Sequence, residues 1–454
     1  MTDYRTSAPW NRVNPDSEAA PWQPRGYVTA AARTVSATPF WALMAFSFIL
    51  IVEPHNTFLR FLGPLRIALL SAAVAMITYL NDRISRGQPL SIMTREFKLA
   101  ACLGGLALVS VPLSRWPGGS FWYFFDVFFK SLVVFWLLSN SLNTVTQFRK
   151  VAWALSVMAL PLAVTAVKNY VTGTYVGGGV GHAVKRIMGY GSNLASNPND
   201  LALMLCEMLP FTVALYLVSR KPTTRMFAVA IIVLEVTAVI VTFSRMGFLI
   251  LAALFAMYQV KVFKRSVLGV AIGMLLVGIL MLPFLPSSYI DHMLTILDVD
   301  SDPTGSAQVR WADMNTAVDV LLTNPFVGGG VGMDELAINE VAGKVWRPVH
   351  NAYLRHGVEL GVFGLVLFVW LLISCIKSAS FVYRRCQSVP ANGELACYAQ
   401  AIQISLIAFA IGAVFSPNAY SFMFYYFAGL AVAVRATYWT VAEREDENGR
   451  NIRS

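Results

Sequence analysis

Four places in the sequence carry side chains that could take part in chemistry. Three of them supply positive charge and one supplies a proton acceptor. Arg245 lies between two nearly fused apolar segments, Arg310 opens a helical stretch, and His350 precedes another apolar segment. The basic pair Lys185 and Arg186 is expected on the same side of the protein. Arginine binds phosphate oxygens in pairs and keeps its charge, and a histidine can accept a hydroxyl proton near neutral pH. These residue types favour chemistry on a diphosphate with a histidine base.

The histidine stands in residues 349–364, a stretch that runs into an apolar segment. If the stretch is helical, residues at steps of three and four share one face: His350, Tyr353, Leu354, Gly357 and Gly361. Asn351 and Tyr353 then lie beside His350 at the mouth of a membrane helix, and we expect both to contact the substrate. Glu359 is expected to pair with Arg355, four residues earlier. The simpler alternative is that His350 and His356 are interfacial residues at a helix end.

The composition predicts a membrane protein. A mean hydropathy of +0.58, with 56% hydrophobic and 13% charged residues, excludes an ordinary soluble domain. Apolar runs long enough to cross a bilayer recur along the chain. We assign twelve spans, at about 38–52, 62–80, 97–113, 121–139, 151–167, 200–218, 226–243, 246–263, 266–285, 357–376, 396–415 and 420–440. The predicted fold is an all-α polytopic membrane protein.

Charge sets the predicted orientation. If the N-terminus is cytoplasmic, every cytoplasmic segment is basic and most of the 35 Lys and Arg residues lie on that side. The net charge of +10 is therefore a topology signal and a preference for anionic lipid surfaces, and gives no argument for nucleic acid. The expected organisation is a disordered cytoplasmic tail at 1–37, spans one to nine at 38–285, an outer loop with short interfacial helices at 286–350, spans ten to twelve at 351–440, and a cytoplasmic tail at 441–454.

The two long outer loops offer no metal site that we recognise. Asp298, Asp300 and Asp302 resemble the start of a calcium loop, but Pro303 stands where that loop needs glycine and Val309 where it needs glutamate. We expect a solvated acidic turn, no metal and no cofactor. Elsewhere in these loops, Asn199 or Asp200 is expected to cap the sixth span, and residues 310–322 to form an interfacial helix that ends at Asn324. None of the five cysteines lies in an outer loop, so no disulfide framework is expected.

The order of several short motifs resembles one known superfamily. The motifs are Ser196-Asn197-Pro198-Asn199-Asp200-Leu201-Ala202, Ser244-Arg245, Arg310 followed by Asn324-Pro325-Phe326-Val327-Gly328, and His350-Asn351-Ala352-Tyr353-Leu354 followed by Glu359-Leu360-Gly361 and Gly364. Together they resemble the O-antigen ligase/polymerase superfamily of bacterial membrane proteins. The resemblance implies inverting, metal-independent glycosyl transfer from undecaprenyl diphosphate at the outer, periplasmic face of the inner membrane, with both termini cytoplasmic.

The resemblance also implies roles and partners. By position, Arg245 and Arg310 would hold the diphosphate of the donor, and His350 would activate the acceptor hydroxyl. The partners would be a lipid-linked glycan donor, a glycan or lipid A core as acceptor, membrane lipid and a chain-length regulator.

The preferred function, by a narrow margin, is a polymerase of exopolysaccharide or O-antigen. Two alternatives stay open. A ligase would pass the glycan to a lipid A core through the same donor site. A flippase or transporter of lipid-linked sugars would instead use charged residues inside the spans, such as Lys130, Glu207 and Glu235.

Overall fold

The computed structural model describes residues 37–57, 59, 61, 67–175, 187–191, 194–261, 306–343, 346–387, 389 and 392–451. The first part of this chain folds into ten α-helices: α1 Ala37–Val52, α2 Pro54–Thr57, α3 Ile67–Ser85, α4 Arg95–Leu113, α5 Pro117–Tyr123, α6 Phe129–Ser141, α7 Val145–Val171, α8 Pro198–Val218, α9 Pro222–Val241 and α10 Arg245–Lys261. A π-helical turn at Phe124–Phe128 joins α5 to α6. The second part adds α11 Ser306–Thr323, α12 Asp334–Ala342, α13 Ala352–Cys386, α14 Gly393–Gly412 and α15 Phe422–Asn451.

The fold is all-α and polytopic, as the sequence predicts. Within the described ranges, nine helical segments are long and apolar enough to cross a membrane, and they coincide with predicted spans one to seven, ten and eleven. Helices α10 and α15 cover the eighth and twelfth predicted spans. The ninth predicted span, 266–285, lies outside the described residues. Those residues form no strand beyond an isolated bridge between Tyr175 and Ile187.

Helices α8 and α14 form the centre of the bundle. About 78% of the apolar window of each is buried, against 22% for α3 and 28% for α9. Helix α14 packs against α8, α13 and α15, while α9 packs against α7 and α8 and turns an apolar face outward. Helices that are apolar on their outer side as well as their inner side suit a lipid surrounding.

Local sequence sets most helix ends. Thr144 and Gln147 form a capping box at the start of α7, and Thr94 accepts the Phe97 N–H at the start of α4. The cap of α8 is Asn197, followed by Pro198, so the predicted cap at Asn199 or Asp200 was wrong by two or three residues. Proline is favoured as the first helical residue because its missing N–H is not needed there.

The helix that carries Gly357, Gly361 and Gly364 also differs from the prediction. Asn351 caps it and Ala352 is its first residue, so His350 precedes the helix and shares no helical face with Tyr353. The backbone of Gly361 is left-handed, with φ 69° and ψ −171°, and interrupts the helix. A Cβ atom there would lie 2.6 Å from the Pro325 carbonyl oxygen. Glycine is therefore required both for the backbone conformation and for the close approach.

Candidate active site

The first turn of α8 holds a cluster of polar side chains at one end of the bundle. Asp200 accepts hydrogen bonds from Asn418 at 3.0 Å and Ser416 at 3.5 Å, and a further one from Asn197. Asn197 also accepts the backbone N–H groups of Asn199 and Asp200, both at 2.9 Å. We call the set Asn197, Asn199, Asp200, Ser244, Ser416 and Asn418 the Asp200 cluster. It joins the start of α8 to the α9–α10 turn and to the α14–α15 connection.

Arg245 directly follows Ser244, a member of the Asp200 cluster, in the sequence. Helix α9 ends at Val241 and α10 begins at Arg245, so the two are joined by the tight turn that the sequence predicts. Phe243 in the turn has a left-handed φ of 54°. The Ser244 hydroxyl donates to the Asn199 side-chain oxygen at 2.8 Å and accepts the Gly247 N–H at 3.1 Å. These contacts fix the backbone at the half-buried Arg245 beside the first turn of α8.

His350 lies within electrostatic range of Asp200. Its ring nitrogen Nδ1 is 2.8 Å from the Pro348 carbonyl oxygen. A carbonyl oxygen can only accept, so we infer that Nδ1 carries the hydrogen. In the neutral ring, Nε2 then keeps the lone pair and is the atom able to take a proton. The half-buried ring is thus held in the tautomer that a base needs.

A buried ionic network lies behind His350, at the start of α13. The Arg355 guanidinium donates to Glu359 at 2.8 Å, to Asp334 at 3.0 Å and to the Pro417 carbonyl at 2.9 Å. This confirms the predicted pairing of Arg355 with Glu359. Glu359 also accepts the Tyr420 hydroxyl at 2.7 Å. We call Asp334, Arg355, Glu359 and Tyr420 the Arg355 network. Its two carboxylates and one guanidinium are almost fully removed from solvent, which is costly unless every group is paired.

This network reaches His350 through the backbone. The second carboxylate oxygen of Asp334 accepts the Val349 N–H at 2.8 Å, one residue before His350. On the other side, residues 416–420 supply Ser416 and Asn418 to Asp200, and Tyr420 to the Arg355 network. The backbone just before His350 is therefore fixed by the Arg355 network, and residues 416–420 connect that network to the Asp200 cluster.

The glycine-rich segment 328–332 completes this end of the bundle. Because Gly361 breaks α13, the carbonyl groups of Val358 and Glu359 lose their helical partners. They accept instead from the backbone N–H groups of Gly329 at 2.7 Å and Gly330 at 2.9 Å. The Glu359 side chain accepts a further N–H, from Gly332, at 2.8 Å. The break in the helix and the segment that fits it form a single structural unit.

Arg310 lies in the second turn of α11 and is half-buried. The predicted helix at 310–322 is present, runs over Ser306–Thr323 and ends where Asn324-Pro325 follows. Its later turns pack on α12 and on the start of α13, through Ala317, Val320, Ala337, Ile338, Val349 and Val358. Arg245, Arg310 and His350 therefore lie on elements that meet at one end of the bundle.

The other predicted site residues have different surroundings. The Asn351 oxygen accepts the N–H groups of Tyr353 at 3.0 Å and Leu354 at 3.1 Å, so it serves as a helix cap. The Tyr353 hydroxyl donates to the Ala410 carbonyl at 2.8 Å. Contact of either side chain with a substrate stays a prediction. Lys185 and Arg186 lie outside the described residues, as does the acidic turn Asp298–Asp302. No group of His, Cys, Asp or Glu within the described ranges has the arrangement of a metal site.

Sequence reasoning missed the partners of Asp200 and of the Arg355 network. Asp334 comes from one segment and Ser416, Asn418 and Tyr420 from another, and no local pattern marks them. The nearest signal was Asp200, which the sequence suggested only as a helix cap. Its carboxylate is instead the acceptor that joins α8 to the α14–α15 connection.

Together, the fold and this site define a multi-pass membrane protein with arginine, histidine and buried carboxylate side chains at one end of its helical bundle. Residues 227–369, about a third of the chain, match the family model described as O-antigen ligase. Over these residues the chain is similar to O-antigen ligases, and the match supports the superfamily predicted from the sequence. Members of the family are glycosyltransferase-like ligases and polymerases. Arg245, Arg310 and His350 all lie within the matched residues. A search of curated proteins found no match to the chain.

Proposed function

We propose that this protein is an inner-membrane glycosyltransferase whose donor is an oligosaccharide linked to undecaprenyl diphosphate. The observation that carries the proposal is the state of His350 within the residues that match the O-antigen ligase family. Its Nδ1 lies 2.8 Å from the Pro348 carbonyl oxygen, and this contact leaves Nε2 as the proton acceptor. Both termini are proposed to be cytoplasmic and the site to face the periplasm, since the basic residues Arg149, Arg220, Lys221, Arg384 and Arg385 gather at the opposite end of the bundle.

The proposed reaction is a single displacement at the anomeric carbon of the donor sugar. The acceptor hydroxyl oxygen forms the new glycosidic bond while the bond from that carbon to the diphosphate oxygen breaks. The diphosphate leaves with the electron pair, and Nε2 of His350 takes the hydroxyl proton. Attack opposite to the leaving group inverts the anomeric configuration.

Arg245 and Arg310 are proposed to stabilise the leaving diphosphate. Fixed cations aimed at developing negative charge commonly make the largest single contribution to such a step. Arg245 is anchored by the Ser244 contacts, and Arg310 by the packing of α11 on the start of α13. Lys185 and Arg186 are proposed to add positive charge on the same side. The chemistry requires no metal, because the arginines replace the cation that often accompanies a diphosphate.

A polymerase remains the preferred activity, joining one lipid-linked repeat unit of exopolysaccharide or O-antigen to another. The specific observation that favours a ligase is the description of the matching family as O-antigen ligase. A ligase would use the same donor side and a lipid A core as acceptor.

Transport of lipid-linked sugars is less well supported. A transport path needs its charged residues to face one shared interior. Glu207 and Glu235 are each 1% exposed. The Lys130 side chain is 51% exposed and pairs with Asp126 on the surface of its own helix.

The deciding experiment uses purified protein in proteoliposomes with lipid-linked oligosaccharide, with and without a lipid A core acceptor. Release of undecaprenyl diphosphate with a ladder of longer glycans from the donor alone supports a polymerase. Release that requires the lipid A core, with a single transfer, supports a ligase. An absence of diphosphate release under both conditions would contradict glycosyl transfer.

A further inference from the structure

A cavity of about 1060 Å³ lies at the end of the bundle opposite to the candidate active site. It is formed where α7, α9 and α14 begin and where α8 ends. Helix α8 begins in the Asp200 cluster and ends at this cavity, so the two sites are separated by the length of a membrane-spanning helix. The volume is at the upper end of the range for small-molecule sites, about 300–1,000 Å³.

The wall of the cavity has an excess of positive charge. Four basic residues line it, Arg149, Arg220, Lys221 and Arg225, against one carboxylate in the described part of the chain, Glu394. The carboxylate is already engaged. Arg149 donates to both of its oxygens, at 2.7 and 2.5 Å, and Tyr398 donates to one of them at 3.1 Å. Arg220 and Lys221 are exposed and face no carboxylate of the described residues in this cavity except Glu394. Arg225 is also exposed, and its guanidinium lies over the Tyr216 ring and donates to the Tyr216 carbonyl, contacts that leave its charge unneutralised.

Two helix ends add to this positive potential. Thr224 and Arg225 in the first turn of α9, and Gly393 and Glu394 in the first turn of α14, line the cavity. Neither of these 20-residue helices has a side-chain hydrogen bond at its cap. The partial positive charge and open N–H groups of a helix N-terminus favour a phosphate group.

The surroundings of the cavity indicate a lipid in preference to a soluble anion. Trp153 lines it, and Val157, one turn further along α7, is 48% exposed. Beside Arg225, Met226 and Phe227 on α9 are 65% and 60% exposed. An apolar surface therefore continues from the basic cavity along the outer faces of α7 and α9. Because this surface faces the bilayer, a lipid can place its phosphate in the cavity while its acyl chains stay in the membrane, an arrangement that a soluble anion does not use.

We propose that this cavity binds the headgroup phosphate of an anionic phospholipid, with Arg220, Lys221 and Arg225 as its cationic contacts and the acyl chains against α7 and α9. The site is separate from glycosyl transfer, and its existence does not depend on the proposed reaction. It gives the protein a defined lipid contact on the membrane side opposite to the candidate active site.

The test is a titration of the detergent-solubilised full-length protein with phosphatidylglycerol, followed by native mass spectrometry. The test variant is Arg220→Gln with Lys221→Gln. The matched control is Arg384→Gln with Arg385→Gln, which removes the same charge from exposed residues at the same end of the bundle. One basic residue near an anionic lipid contributes roughly a factor of five, so the test variant should bind about 30-fold more weakly. The control should bind within about threefold of the unaltered protein, and phosphatidylcholine should bind weakly to all three.

Three results would overturn the proposal. The first is an equal loss of phosphatidylglycerol affinity in the two double variants, which would indicate a general effect of surface charge. The second is equal affinity for phosphatidylcholine and phosphatidylglycerol. The third is displacement of phosphatidylglycerol by submillimolar inorganic phosphate, which would indicate a soluble ligand. If the test variant fails to fold, Lys221→Gln alone should weaken binding about fivefold, and unchanged affinity would contradict the assignment.

Discussion

Replacing Arg355 by methionine tests whether buried charge holds the candidate active site together. The Arg355 side chain is 12% exposed and lies between Asp334 and Glu359, which are 1% and 0% exposed. Methionine has a similar length but leaves both carboxylates without their cation. Removing one partner of a buried ion pair costs about 3–5 kcal/mol. We expect a loss of this size in the free energy of unfolding, measured by reversible detergent titration.

The chain offers a matched control in Arg347→Met. Arg347 pairs with Asp313 at 3.1 Å, a similar distance, but its side chain is 44% exposed. Exposed ion pairs contribute about 0–1 kcal/mol because water and salt screen them. The two substitutions are chemically identical, but Arg347 has an exposed side chain and one carboxylate partner, whereas Arg355 is buried with two, so Arg347→Met should cost less.

A second substitution isolates the interaction energy. Glu359→Gln removes one of the two buried carboxylates and should cost less than Arg355→Met, about 1–3 kcal/mol, through its lost hydrogen bonds. In the double variant the two losses should not add, with a coupling of about 0.5–3 kcal/mol. Equal losses for Arg355→Met and Arg347→Met, or strict additivity in the double variant, would refute the claim that the Arg355 network is a stabilising unit.

Three further predictions concern the donor site, the metal and the fold. In a reconstituted assay, Arg245→Lys and Arg310→Lys should each slow glycosyl transfer clearly, because lysine keeps the charge but loses the planar fork. Substitutions that remove the charge should lower the rate by about 10²–10³. Excess EDTA should leave this rate unchanged, and a loss restored by magnesium or manganese would contradict metal independence. Gly361→Ala should lower the thermal midpoint, because alanine must adopt a left-handed backbone beside the Pro325 carbonyl; an unchanged midpoint would contradict the role given to this break.

A topology experiment tests the orientation. In a background without native cysteines, Ser192→Cys and Ser306→Cys should react with an impermeant maleimide in intact spheroplasts, because the charge pattern places both outside. Lys221→Cys should stay protected until lysis. The reverse pattern would contradict the assignment of the two faces.

Local patterns in the sequence predict the parts of the site that depend on neighbouring residues. The pairing of Arg355 with Glu359 follows from four-residue spacing, and the α9–α10 turn before Arg245 follows from two adjacent apolar runs. The cap of α8 was predictable too. Asn197 and Asn199 both have a capping side chain, but only Asn197 precedes a proline, and this combination marks a helix start.

Contacts between distant segments could not be predicted in this way. His350 and Asp200 are 150 positions apart, and their approach depends on how α8, α13 and α14 pack. The helical face expected for His350 was wrong because Asn351 caps the helix, which begins only after the histidine. The helical periodicity also does not predict the left-handed backbone conformation of Gly361, since the residues on both sides of it are helical.

The most direct test of the central claim compares His350→Ala with His356→Phe in the reconstituted assay. His356 is fully buried, stacks on Phe368 with ring centroids 4.0 Å apart, and bonds to the Ala352 carbonyl within its own helix. The phenyl ring of the control keeps the stacking, so that variant should release undecaprenyl diphosphate at close to the normal rate per folded molecule. His350→Ala should still bind the lipid-linked donor but release the diphosphate about 10²–10⁴ times more slowly. Normal release by His350→Ala, together with an inactive but folded His356 variant, would contradict the assignment of His350 as the base.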